Sequence, residues 1–164
     1  MRLLGAVLIV LAGVLMGLQR AAELRRTVQT RAALCRMLEG LAYELGRFRT
    51  PLPEVFSALC AQSEGTALSL CRAISERMNG EQAAFSAVWM EAISLLPPRE
   101  RELLRPLGGI LGRYGTEEQL PALERCLREM EELLSEGRER LRERSGVCVG
   151  LWAAAGLMAA VVLI

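Results

Sequence analysis

Sixteen residues near one end of the chain, Leu3–Leu18, and eighteen at the other, Val147–Ile164, carry no charge. Every charged residue except Arg2 lies between these two runs. At about 1.5 Å of rise per helical residue the runs reach about 24 and 27 Å, slightly short of the roughly 30 Å hydrocarbon core. Flanking Gln19 and Arg20 extend the first run by snorkelling. The pattern predicts an all-α, membrane-anchored helical bundle with two terminal spans: one over 1–19, one over 147–164, and a loop of 128 residues, Gln19–Gly146, between them.

The flanking charges predict the topology. Arg20, Arg25, Arg26 and Arg31 follow the first run, while Arg138, Arg140, Arg142 and Arg144 lead into the second. The positive-inside rule therefore puts the loop in the cytoplasm and both termini outside. Basic residues on the far side of the first run, and no small-x-small site before Gln19, argue for a retained anchor over a cleaved signal peptide. Residues 20–36 hold five Arg and one Glu, whereas 117–132 hold six Glu and two Arg. The membrane-proximal basic set, Arg20, Arg25, Arg26, Arg138, Arg140, Arg142 and Arg144, suits an anionic inner leaflet as partner.

The loop reads as helix throughout, about six helices in all, because no stretch alternates apolar and polar residues long enough for a strand. Leu34, Leu38, Leu41, Leu45 and Phe48 step by four and three, a heptad stripe that ends at Thr50-Pro51-Leu52-Pro53. Short helices are expected over 53–62, 67–78 and 82–96. A fifth begins near Arg99 and kinks at Pro106-Leu107-Gly108-Gly109. Gly115 suits a helix end. Thr116-Glu117-Glu118-Gln119 reads as a capping box opening the longest helix, whose Leu120, Leu123, Leu127, Met130 and Leu134 again step by three and four. These stripes divide the cytoplasmic domain, 20–146, into stalk helices, 20–49 and 117–146, and a head, 50–116. A head that small is marginal alone, so the stalk helices should complete its core.

The residues exclude most chemistry. The chain has no histidine. Its five cysteines, Cys35, Cys60, Cys71, Cys126 and Cys148, form no C-x-x-C, so structural zinc and a His-activated nucleophile are not expected. They read as small core residues. The carboxylates read as solvated, the glycine-rich Leu107–Gly112 stretch lacks a phosphate-loop ending, and nucleic acid has no basic-aromatic footprint. No cofactor is expected. Gly13-x-x-x-Gly17 and Gly146-x-x-x-Gly150 are small-residue pairs that allow close packing of membrane helices, within one chain or between copies of a homo-oligomer.

In order along the chain, Arg2-Leu3-Leu4-Gly5-Ala6-Val7, Leu38-Glu39, Tyr43-Glu44, Thr50-Pro51-Leu52-Pro53-Glu54, Ala87-Val88-Trp89, Leu107-Gly108, Leu111-Gly112-Arg113 and Glu118-Gln119 resemble the stage III sporulation protein AB family. That family is similar to one cytoplasmic domain of the inner-membrane platform proteins of type II secretion and type IV pilus machines; this chain has a single such domain. The resemblance gives Thr50, Pro51, Leu52, Trp89, Gly112, Gly115 and Gln119 structural roles. It implies a non-enzymatic place in the transenvelope complex between mother cell and forespore. The implied partners are the cytoplasmic ATPase stage III sporulation protein AA and other membrane subunits. Arg99, Glu100, Arg101, Glu117, Glu118 and Glu124 are the expected docking residues. A second reading is a membrane-tethered adaptor with no motor partner.

Overall fold

The computed structural model describes residues 2–48, 51–80, 84–113 and 116–163, with side chains described only for residues of the loop. The order is α1 (Arg2–Phe48), α2 (Leu52–Gln62), α3 (Gly65–Gly80), α4 (Phe85–Ile93), α5 (Pro98–Leu104), α6 (Leu107–Ile110) and α7 (Thr116–Leu163). No strand occurs among the described residues.

Prolines set several boundaries. Pro51 and Pro97 sit immediately before α2 and α5, where a fixed φ prepares a helical start and a missing N–H costs nothing. The expected kink near Pro106 is a complete break. The chain turns at Arg105-Pro106 and restarts as the single turn α6, so one expected helix is two. The fourth helix is shorter than the 82–96 reading: α4 ends at Ile93, and Arg101 Nη2 takes the carbonyls of Ser94 (2.8 Å) and Leu96 (3.0 Å) that a longer helix would have used. Pro121 lies inside α7 near its start, where it removes the bond to the Glu117 carbonyl.

The chain divides into two compact units, one of residues 1–28 and 135–164, the other of 29–134. In the first, Glu136 and Arg140 pair one turn apart at 3.6 Å. The apolar runs and the glycine pairs Gly13/Gly17 and Gly146/Gly150 fall on residues whose side chains lie outside the described set, as does Cys148. Among the described residues no helix is long and apolar enough to cross a membrane.

The second unit has one core. Its α1 contribution is Leu34, Met37, Leu38, Leu41 and Leu45, and its α7 contribution is Leu123, Cys126, Met130 and Leu134. Contacts between these helices run in opposite directions: Arg31 reaches Leu133, and Gly46 lies 3.6 Å from Leu120 by the Cβ it lacks. The two leucine stripes thus pair antiparallel. Val55, Phe56 and Leu59 of α2, Cys71 and Ile74 of α3, and Val88, Trp89 and Ile93 of α4 complete the interior.

The tryptophan-centred helix earns its place here. Trp89 is fully buried and its Nε1 donates to the Leu104 carbonyl at 2.9 Å, joining α4 to the end of α5. Phe56 and Phe85 lie 6.3 and 5.7 Å from it, ring centre to ring centre, in the offset range aromatic quadrupoles favour. Gly112 adopts φ +79, and a Cβ there would meet Leu52 Cδ1 at 3.1 Å, so the turn after α6 closes over the start of α2. Gln119 is buried at the start of α7. Thr50 and Gly115 lie outside the described residues, and so does the side chain of Thr116 in the expected capping box.

Candidate docking surface

The six expected docking residues do not form one surface. Glu100, third residue of α5, is 1 % exposed. Arg31 Nε of α1 donates to its Oε1 at 2.6 Å, and the same guanidinium gives Nη1 to the Leu133 carbonyl of α7 at 2.7 Å. Glu100 is therefore an internal fastener of α1, α5 and α7, and the expectation that every carboxylate is solvated fails at this position. A carboxylate can be so buried because a charge-assisted partner compensates its lost hydration. Arg101 is half-buried and spends its guanidinium on the carbonyls after α4. Glu100 is thus closed to a partner, and Arg101 is tied to the turn after α4.

Arg99 is exposed and lines a shallow furrow of about 520 Å³ between α5 and α7, with Pro98, Glu102, Leu103, Glu129 and Leu133. Its lining mixes apolar Pro98, Leu103 and Leu133 with charged Arg99, Glu102 and Glu129. Glu117, Glu118 and Glu124 are exposed on α7 but do not line it. At 1.5 Å per residue Glu118 stands about 16 Å along α7 from Glu129. The structure places Arg99 and Glu129 along the same furrow, which sequence reasoning overlooked because the two are distant in the chain.

A second hollow of about 400 Å³ lies between α1 and α2, lined by Arg36, Glu39, Gly40, Tyr43, Glu44, Ala58, Leu59 and Gln62. It exists because Gly40 admits Leu59: a Cβ at 40 would lie 2.6 Å from Leu59 Cδ2. Tyr43 at its edge is half-exposed, with the Arg47 guanidinium 5.8 Å from its ring centre. Apolar side chains also reach solvent at Met90 and Leu95, the latter 83 % exposed.

The thiols behave as core. Cys35, Cys71 and Cys126 are buried and Cys60 half-buried. Burial pushes Cys71 up to about 11 against its Ser63 contact, and burial together with Glu129 pushes Cys126 up to about 12, so both stay protonated. Burial also raises Cys60. Among the described residues no cluster of three or more His, Cys, Asp or Glu could hold a metal ion. Arg77 and Glu91 form an exposed ion pair linking α3 to α4.

A solved structure named stage III sporulation protein AB (SpoIIIAB) is similar to this fold, with a TM-score of 0.62 at 18 % identity. The likeness covers 69 % of this chain and 94 % of that one. No curated protein matches the chain. The family model for stage III sporulation protein AB matches residues 2–164, from the first apolar run through the helical core to the last residue, and on that match the chain belongs to the stage III sporulation protein AB family.

Proposed function

We propose that the chain is a non-enzymatic platform subunit of the transenvelope, secretion-like complex that sporulation requires, coupling a cytoplasmic ATPase to membrane subunits. Membership of a sporulation family supplies the biological setting. The observation that carries the mechanical part is helix continuity. α1 holds both the Leu3–Leu18 run and the buried Leu34–Leu45 stripe without interruption, and α7 holds both the Leu123–Leu134 stripe and the Val147–Ile164 run. A displacement imposed on the packed unit then has an unbroken backbone along which to travel in each direction.

In this reading the two apolar runs span the mother-cell membrane facing the forespore, the loop is cytoplasmic and both termini lie outside. The glycine pairs in the runs pack the spans, within a chain or between copies, and the basic residues at their edges meet anionic lipid. The ATPase, stage III sporulation protein AA, docks on exposed charge: Arg99 with Glu102 and Glu129 along the furrow, or Glu117, Glu118 and Glu124 at the start of α7. No residue of the loop is asked to do chemistry.

The test has two stages. A Ser63→Cys variant in intact sporulating cells should resist an impermeant thiol reagent until lysis; labelling before lysis would put the loop outside and remove the motor from reach. Full chain in nanodiscs should then retain the ATPase in a nucleotide-dependent manner. Retention that ignores nucleotide would favour the adaptor reading, in which the head holds another protein without receiving work from it.

A further inference from the structure

Arg31 stands in phase with the leucine stripe of α1. Positions 31, 34, 38, 41 and 45 step by three and four, and the last four are Leu34, Leu38, Leu41 and Leu45, all buried. The side chain of Arg31 is only 11 % exposed. A buried guanidinium thus occupies a seam position where leucine would pack. The facing stripe of α7 is similarly uniform: Leu120, Leu123, Leu127, Met130 and Leu134.

Uniform seams have a weakness. Sliding one helix past the other by a heptad again sets leucine against leucine, so apolar packing alone discriminates poorly between alignments. A polar residue at a single seam position corrects this when its partner is fixed elsewhere. Here the partner is fixed by a third helix. Glu100 comes from α5, which is itself held by Trp89 Nε1 on the Leu104 carbonyl and by Cys126 Sγ 3.6 Å from the Leu103 carbonyl. Sliding α1 by seven residues would carry the guanidinium about 10 Å from Glu100 and from the Leu133 carbonyl, leaving two buried charges unpaired.

We propose that Arg31 and Glu100 form a register lock: the pair selects one longitudinal alignment of α1 against α7 and is not there to add stability. A buried ion pair is often no more stabilising than well-packed apolar side chains of similar size, while breaking one side of it is costly. Arg31 and Leu133 lie within two residues of the points where α1 enters and α7 leaves the 29–134 unit. The alignment is therefore set at the end of the seam where both helices run on towards the apolar segments.

The experiment compares full-length chain in nanodiscs carrying spin labels on ketone-bearing residues at Arg36 and Glu129, both exposed, which leaves the native cysteines untouched. Electron–electron resonance should give one narrow separation for the parent chain. Arg31→Met with Glu100→Leu should unfold at the same or a higher temperature yet give a broadened or two-peaked distribution, with the second peak at a longer separation. Arg31→Glu with Glu100→Arg, which restores the pair with its ends exchanged, should narrow the distribution again. A single unshifted peak in the apolar double variant would overturn the proposal. So would loss of cooperative unfolding in the apolar variant alongside a folded exchanged pair, because the pair would then be a stabilising element.

Discussion

Gly108 lies against the face of the buried tryptophan: a Cβ at 108 would sit 2.5 Å from Trp89 Cδ1 and 3.1 Å from Cγ. The ring cannot retreat. Its Nε1 is bonded to Leu104, and Phe56 and Phe85 pack near it. The glycine of α6 is the space the indole occupies, and α6 is held to α4 by that fit.

Gly108→Ala should therefore destabilise the chain by about 1–3 kcal/mol, the usual cost of overpacking, despite alanine's better helix propensity. Neighbouring Gly109 is the control, because nothing lies within 4 Å of its missing Cβ. Gly109→Ala should be neutral or stabilising by about 0.5–1 kcal/mol. Urea unfolding in detergent, followed by circular dichroism, separates the two; equal effects would mean that the Trp89 contact does not govern this helix.

Single replacements at the internal ion pair should be among the most damaging in the loop. Arg31→Met or Glu100→Leu alone strands a buried charge, with an expected loss of about 3–5 kcal/mol. The exposed pair Arg77–Glu91 is the comparison, and Glu91→Gln should cost under about 1 kcal/mol. Thermal melts at low and high salt make the distinction sharper: salt should weaken the exposed pair and leave the buried one unaffected.

Alkaline pH should loosen the packed unit. A thiol is neutral when protonated, and burial holds Cys71 at about 11 and Cys126 at about 12, against an ordinary value of 9.0 reached in the unfolded chain. Their contribution is complete below pH 9 and is lost as pH rises through 11 and 12. At pH 8 a thiol reagent read by peptide mass spectrometry should modify half-buried Cys60 well before Cys71 or Cys126. Equal rates at all three would show that the core opens faster than it reacts.

The furrow between α5 and α7 makes a separable claim about docking. Reversing charge with Arg99→Glu and Glu129→Arg should leave the melting temperature nearly unchanged, since both are surface positions worth within about 0.5 kcal/mol. Retention of the ATPase should fall. The same measurement on Glu117→Arg with Glu118→Arg assigns the contact to the first turn of α7 if only that pair reduces retention.

Much of the helical scaffold was legible because it rests on local signals. The prolines at 51, 53, 97 and 98 and the leucine spacing of α1 and α7 are visible in any short window. The break between α5 and α6 was read as a kink because Pro106 weakens a helix without saying whether it restarts. Glu100 was misplaced for a different reason. Its burial depends on Arg31, 69 residues earlier, and on α5 settling between two long helices. One signal was present: an arginine in exact heptad phase with four buried leucines. Composition treats such a residue as surface, and only the phase betrays it. The furrow residues Glu102 and Glu129 carried no local signal, since a groove is a relation between helices.

The hydrogen bond from Arg31 to Leu133 spans 102 residues of sequence. During synthesis α1 emerges early with Leu34, Leu38 and Leu41 uncovered, and the α7 side of their seam is made only when translation reaches Leu123. At about 5–20 residues per second that exposure lasts roughly 5–20 seconds. A chain cut short before Leu123 keeps an open leucine face, a substrate for chaperones and proteases. The order of synthesis thus sets the order of burial: the seam can close only after α7 has been made.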